Sequence, residues 1–405
     1  MMRLVVIISL AAIVLASCNS IGARSKTSKQ SQEMMIDSLP GQCPYLTKDA
    51  KGNTVLSWVR MINDSTSSFC YAVSIDGKNF GRTVAIPNTG TIKPHGENLP
   101  KIIFKPSGEI IALWGAANPN PKNKYSGLVF YVQSFDDGNT WTNPKPLTTD
   151  TASFDQRYYD VALLPNGEAA IIWLDNRKTT KADGSGLYFA STEGKNGFQH
   201  EHLISQQCCQ CCRTDLFVDS KGGIHALYRG IIKDSIRDMV HMVSTDGAKT
   251  FSQPKRISND NWVINGCPHT GPSMIENKDG LHFAWYTGGS KRGCFYTQSV
   301  NNGSSFVKQD SISSLGSHPQ MTALSNKNMV IVWDEFAESG DKASKMIALQ
   351  KRDEAGNAQE KRFITSDTTV STYPVVSGLD ETSSFVAYST KRDGKNYVAY
   401  QLVKF

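Results

Sequence analysis

The sequence predicts an all-β fold: a β-propeller of four-stranded blades, seven preferred and six as the alternative, closed by an N-terminal strand. Three observations predict it. Apolar β-rich runs ending in an aromatic recur about every fifty-five residues, at Trp58, Trp114, Trp173, Tyr228, Trp285, Trp333 and Tyr388, and such a period marks one structural unit per repeat. Each run follows a short apolar strand and a turn, as in "KIIFKPSGE", "VALLPNGE", "LFVDSKGG", "SMIENKDG" and "MTALSNKN". A polar turn between β-rich runs is a hairpin signal. A second pattern then recurs in step: "SIDGKNF" from Ser74, "SFDDGNTW" from Ser134, "STEGKNGF" from Ser191, "STDGAKTF" from Ser244 and "SVNNGSSF" from Ser299.

Each element has its own reason. The aromatic-ending run is the second strand of a blade, and the apolar strand before it is the first and innermost. A third strand, such as "LVFYVQS" or "LYFAS", leads into the recurring turn. There an Asp or Asn caps the turn, Gly supplies positive φ, and the aromatic plugs between strands. The last hairpin, "YPVVSGL" with "SFVAYST", is followed by a third strand that ends at Phe405, one strand short. The segment from Glu33 to Leu39 can supply the missing outer strand. Six blades would require one repeat to be misread.

Before the repeats, "MMRLVVIISLAAIVLASC" has one positive charge, an apolar run and small residues before Cys18. This is a secretory signal rather than a membrane span. Its end, Leu15-Ala16-Ser17-Cys18, resembles the bacterial lipobox, which implies lipidation of Cys18. The expected organisation is a signal at 1–17, a polar leash at 18–32 and one propeller at 33–405. The expected location is the bacterial cell envelope, at the outer membrane or its periplasmic face, with membrane attachment through the lipid alone. The 43 Lys and Arg against 37 Asp and Glu are scattered, with no basic block that would track a nucleic-acid backbone. A monomer without nucleic acid and without a cofactor is expected.

Strands alternate direction within a blade, so the segments leading into first strands share a face with the loops between second and third strands. The lead-ins hold Cys43, His95, Arg157, Cys208, Cys267, His318 and Tyr373; the loops add Asp175, Arg177, Arg229, Arg237, Arg292, Asp334 and Glu335. A glycan or another small acidic ligand is expected there.

The recurring turns resemble the Asp-boxes of sialidases, a likeness that spans nearly all of residues 33–405. It implies a sialidase-like exo-glycosidase: three arginines clamp a carboxylate, a Tyr acts as nucleophile and an Asp as acid. On that resemblance Arg177, Arg213, Arg229 and Arg237, with His95 and His269, bind substrate. Tyr373 or Tyr158 is the nucleophile, and Asp160 or Asp175 the acid. The Arg-Ile-Pro motif of sialidase first blades is absent, so catalytic residues do not transfer one for one. The segments "HGEN", "WLDNR", "CCQCCRTD", "SIRD" and "CPHTGP" together resemble a subgroup of such proteins, without naming a reaction.

Two alternatives remain open: a non-catalytic glycan-binding lipoprotein, and a metal-binding propeller using Cys208, Cys211, Cys267 and His269. The stretch "SQQCCQCCRTD" also suits disulfides in an exported chain, with Cys267 as the outside partner that would lock the loop carrying Arg213. The five repeat tryptophans, His225 and His282 are expected to be blade packing, and Arg229, Arg237 and Asp238 can form a salt-bridge network instead of a clamp.

Overall fold

The computed structural model describes residues 31–121, 123–150, 152–177, 183–337 and 344–405. The signal at 1–17, Cys18 and the leash up to residue 30 lie outside the described residues. From residue 31 onward the chain forms seven antiparallel sheets of four strands each, as the repeats predict. Blades 1 to 6 span 41–86, 101–146, 156–208, 215–256, 273–313 and 316–363. Blade 7 takes Ser371–Gly378, Ser383–Arg392 and Lys395–Lys404 from the C-terminus and Met34–Met35 from the N-terminus. Among the described residues the one helical element is the single 3-10 turn Gly194–Asn196.

Ring closure follows the sequence expectation. Met34 pairs with Tyr400 and Met35 with Ala399, so the last outer strand comes from the other end of the chain. Glu33 accepts a 2.6 Å hydrogen bond from the Tyr388 hydroxyl, and Asp37 pairs with Arg60 of blade 1 at 2.6 Å. These contacts tie blade 7 to the start of the chain and cover a sheet edge that would otherwise be open.

Second strands are covered on both faces by neighbouring blades, so they read as continuous apolar runs rather than alternating ones. Every residue of Ala169–Asp175 is buried. Trp58, Trp114, Trp173, Trp285 and Trp333 are fully buried, as expected of blade packing. In the recurring turns Asp136 accepts the Ser134 hydroxyl at 2.9 Å and the Thr140 amide at 2.8 Å, and Asp246 and Asn301 do the same work in blades 4 and 5. The turn aromatic packs onto the preceding blade: Phe80 lies 4.9 Å from Phe385 and from Tyr400, Phe198 lies 5.2 Å from Tyr131, and Phe251 lies 6.0 Å from Phe189. It plugs between blades, not between strands of one blade.

Residues of all seven first strands line a narrow central channel of about 190 Å³, and a wider cavity opens on the face of the lead-in segments.

Candidate functional site

The mouth of the channel is shaped by a repeated irregularity. First strands of blades 1, 3, 6 and 7 slip register between Gln42 and Tyr45, Arg157 and Asp160, Ser317 and Gln320, and Thr372 and Val375. Inside each slip one non-glycine residue is left-handed: Cys43 at φ 60°, Tyr158 at 55°, His318 at 53° and Tyr373 at 54°. His269, just before the first strand of blade 5, has φ 49°. Such a backbone costs about 1 kcal/mol or more per bulky residue and concentrates at functional sites. A bulge re-aims a side chain, and here the re-aimed rings fall into two clusters. The Tyr373 and His318 rings lie 4.2 Å apart, and His95 lies 5.6 Å from His269 and 5.9 Å from Tyr158. Gly96 allows the close approach on the other side: a Cβ there would sit 2.7 Å from the Tyr373 ring.

Two parts of this ring differ in electrostatics. His318 Nδ1 donates at 2.7 Å to the buried Asp334, which also accepts from Lys345 at 3.0 Å and from the Tyr373 amide at 2.9 Å. Burial alone lowers the His318 pKa, but the Asp334 carboxylate outweighs it and raises it. Burial, with Glu97 and Asp334 nearby, pushes the Tyr373 phenol up.

The second part opens into a cavity of roughly 1270 Å³ between blades 2 and 5, lined by His95, Tyr158 and His269 together with Lys93, Lys124 and Arg157. Burial, then the neighbouring His269, lowers the His95 pKa, so its imidazole is neutral at neutral pH. His269 has a buried Nδ1 without a hydrogen-bond partner. Burial pushes the Tyr158 phenol up, against the pull of Arg157. The Tyr158 backbone is fixed on both sides: its amide donates to Asn98 Oδ1 at 2.7 Å and its carbonyl accepts from Thr214 Oγ1 at 2.8 Å. Among the described lining residues Asp155 is the single carboxylate, held by Arg157 through bonds of 2.6 and 2.7 Å.

The structure brings His95, His269 and the candidate Tyr158 together but separates them from the other expected site residues. Asp160 lies down the channel, ion-paired with Lys101 and accepting the Leu216 amide at 2.8 Å. Asp175 is buried among Ser153, Trp173 and the Arg177 amide at 2.7, 3.0 and 2.8 Å. Arg177 is ion-paired with Asp150, Glu201 and Asp175 at 2.9, 2.7 and 3.1 Å and lies over the Tyr188 ring. Arg213 donates to the carbonyls of Gly271, Pro272 and Pro319 and lies 3.8 Å from Glu97, which makes it a staple across blades 4 to 6. Arg229 donates to the carbonyls of Arg237, Thr270 and Tyr286, and Arg237 to that of Ile264. Asp238 pairs with Arg256 instead of either. Tyr373 sits at the mouth with His318, without an acid from the expected pair.

All eight described cysteines are free thiols. Cys208 is buried at the end of the blade 3 outer strand, its Sγ 3.7 Å from the Gln206 carbonyl. Cys267 is exposed, whereas Cys209, Cys211 and Cys212 are buried and face one another, so the expected bridge from Cys267 is not formed. The Asn98 clamp, the His318–Asp334 pair and the trio of thiols escaped the sequence reading. The residue preceding proline in "QCPY", "SHPQ" and "TYPV" was a usable signal for the bulge.

No family model matches the sequence, and no curated protein matches it. Solved structures do share the fold. A protein of unknown function from Dyadobacter fermentans is 14% identical with a TM-score of 0.55, covering 93% of this chain and 99% of its own. The polysaccharide lyase Uly1 is 11% identical with a TM-score of 0.56, covering 95% and 94%. The intramolecular trans-sialidase from Ruminococcus gnavus is 10% identical with a TM-score of 0.51, covering 90% and 94%. At these identities the likeness is one of architecture, a propeller fold held in common with sialidases and polysaccharide lyases.

Proposed function

We propose that the mouth cavity binds an acidic glycan and cleaves it by acid–base chemistry of imidazole and phenol, a β-elimination from a uronate. One observation carries this reading: a neutral His95 stands beside His269 and a protonated Tyr158 in a cavity whose described lining holds no free carboxylate pair. In the step His95 takes the proton next to the uronate carboxylate at Nδ1, whose lone pair accepts the Glu97 amide at 3.2 Å in the free protein and must give up that bond. The electron pair forms a C=C bond, the bond to the glycosidic oxygen breaks, and that oxygen takes the Tyr158 proton. Lys93 and Lys124 offer positive charge to the carboxylate. The cavity exceeds the roughly 300–1,000 Å³ of an ordinary ligand pocket, which suits several sugar units. The lyase Uly1 supports the reading as a neighbour in fold.

Sialidase-like hydrolysis, expected from the repeats, needs a carboxylate clamp, and Arg177, Arg213 and Arg229 are occupied by protein acceptors. The assay separates the two. Incubation with a panel of uronate and sialylated glycans should give an unsaturated product absorbing in the ultraviolet, and His95→Gln should lower its rate by about 10²–10⁴-fold. Sugar release without that chromophore sinks elimination in favour of hydrolysis, and a panel neither bound nor cleaved sinks both. Export and lipidation at Cys18 remain part of the proposal. Fatty-acid labelling that disappears in Cys18→Ala tests them.

A further inference from the structure

We infer that Cys209, Cys211 and Cys212 form a three-thiolate site for a thiophilic d¹⁰ metal ion, Zn²⁺ or Cu⁺, in the wall of the mouth cavity. All three thiols are buried, and their sulfurs lie within 4.8 Å of one another. Cys209 Sγ is 3.7 Å from that of Cys211 and 4.0 Å from that of Cys212. A Zn–S bond of about 2.3 Å implies sulfur–sulfur edges of about 3.8 Å in a tetrahedral site and about 4.0 Å in a trigonal one. A disulfide needs about 2.05 Å. The trio already has the spacing of ligands around one ion.

Charge is the second, independent observation. Arg229 is 1% exposed and makes no ion pair with a carboxylate among the described residues. Its Nε donates to Cys212 Sγ at 3.3 Å, its other nitrogens donate to neutral carbonyls, and its guanidinium lies over the Trp262 ring. Asp260, whose carboxyl is within its electrostatic reach, is engaged by Ser258 and Trp285. A buried cation without a counter-ion is expensive, and thiolate sulfur is the anion at hand. Three thiolates with Zn²⁺ leave one negative charge, which Arg229 balances; with Cu⁺ they leave two. Binding releases the thiol protons and involves no change of oxidation state.

The loop is held for this purpose. The Cys209 amide donates to the Arg229 carbonyl at 2.8 Å, which fixes the cluster to the arginine that neutralises it. Cys211 also lines the cavity with Cys267 and His269, which puts the trio in its wall. The set differs from the Cys208, Cys211, Cys267 and His269 combination suggested by sequence, because Cys208 turns toward Gln206 and Cys267 is exposed.

The test uses the full chain, purified without chelator, and does not depend on glycan activity. Elemental analysis should find about one Zn or Cu per chain and identify which. Non-reducing mass spectrometry should find the three cysteines unbridged and protected from alkylation until a chelator is added. Exchange with Co²⁺ should produce thiolate-to-cobalt charge-transfer absorption. Cys212→Ser should weaken Zn²⁺ binding at least tenfold while Cys208→Ser leaves it unchanged, and if Cys212→Ser does not fold, the wild-type cobalt spectrum still decides. A cross-linked cluster peptide two hydrogens lighter overturns the inference. So does reduced protein that takes up neither equimolar Zn²⁺ nor Cu⁺.

Discussion

Tyr158 is a large aromatic residue with a left-handed backbone, a conformation that persists only where surrounding contacts hold it. Asn98 is the main such contact, since its side-chain oxygen takes the Tyr158 amide. Gly115 makes room for it, because a Cβ there would sit 2.6 Å from Asn98 Nδ2. Asn98→Ala strands a buried N–H and should cost about 1–3 kcal/mol in urea unfolding. It should also lower glycan cleavage more than a neutral cavity elsewhere would, since Tyr158 loses its aim. An Asn98→Ala protein of wild-type stability and activity would show that the bulge holds itself. None of this was legible in the sequence: Tyr158 was one of two candidate tyrosines, with Tyr373, and "HGEN" gave no hint that its last residue reaches into the next blade.

At the scale of the element, periodicity spoke clearly where burial is symmetrical. Second strands are covered on both sides, so "IIALW" and "AAIIW" announce themselves, and the unpaired last blade pointed to the segment Glu33–Leu39, of which Met34–Met35 form the closing strand. First strands were less legible, because their bulges depend on backbone angles that apolar patterning does not encode. Asp160 and Arg213 therefore looked like mouth residues and turn out to line the channel. Second strands also carry polar cross-links. His282 in Gly280–Gly288 joins Asn277 of the first strand at 2.7 Å to Tyr296 of the third at 2.6 Å. Burial lowers its pKa to about 4. The folded value is below the unfolded one, so the unfolded chain binds the proton more readily. Stability is then fully present above about pH 6.5 and lost as pH falls toward 4, by roughly 3 kcal/mol at the lower end. In His282→Gln that part of the acid-side slope should vanish from melting curves recorded between pH 7 and 4. An unchanged slope would assign acid sensitivity to other groups.

Across the whole molecule, the ring converges on the channel, where charges from different blades meet. Lys101 of blade 2 pairs with Asp160 of blade 3, Asp160 accepts the Leu216 amide of blade 4, and Asp215 of blade 4 accepts the Met274 amide of blade 5 at 2.5 Å. This chain of cross-blade contacts has more carboxylate than cation: Lys101 serves Asp160, and Arg213 leans on Glu97 and backbone carbonyls. Asp215 is left to hold a proton. Burial first, then the Asp160 charge, raises its pKa to about 8, against the opposing pull of Arg213 and Lys101. An acid whose folded pKa is above its unfolded value binds the proton better when folded. Its contribution is therefore present below about pH 4 and lost as pH rises toward 8. Asp215→Asn keeps the acceptor for Met274 and removes the titration. It should match the wild type only at or below about pH 4 and exceed it at pH 8.5, with the gap opening already by pH 5 and widening up to about pH 8. Denaturant unfolding at several pH values measures that gap. A variant weaker than wild type at every pH would mean that Asp215 is ionised in the fold and that the charge itself helps hold the blades together.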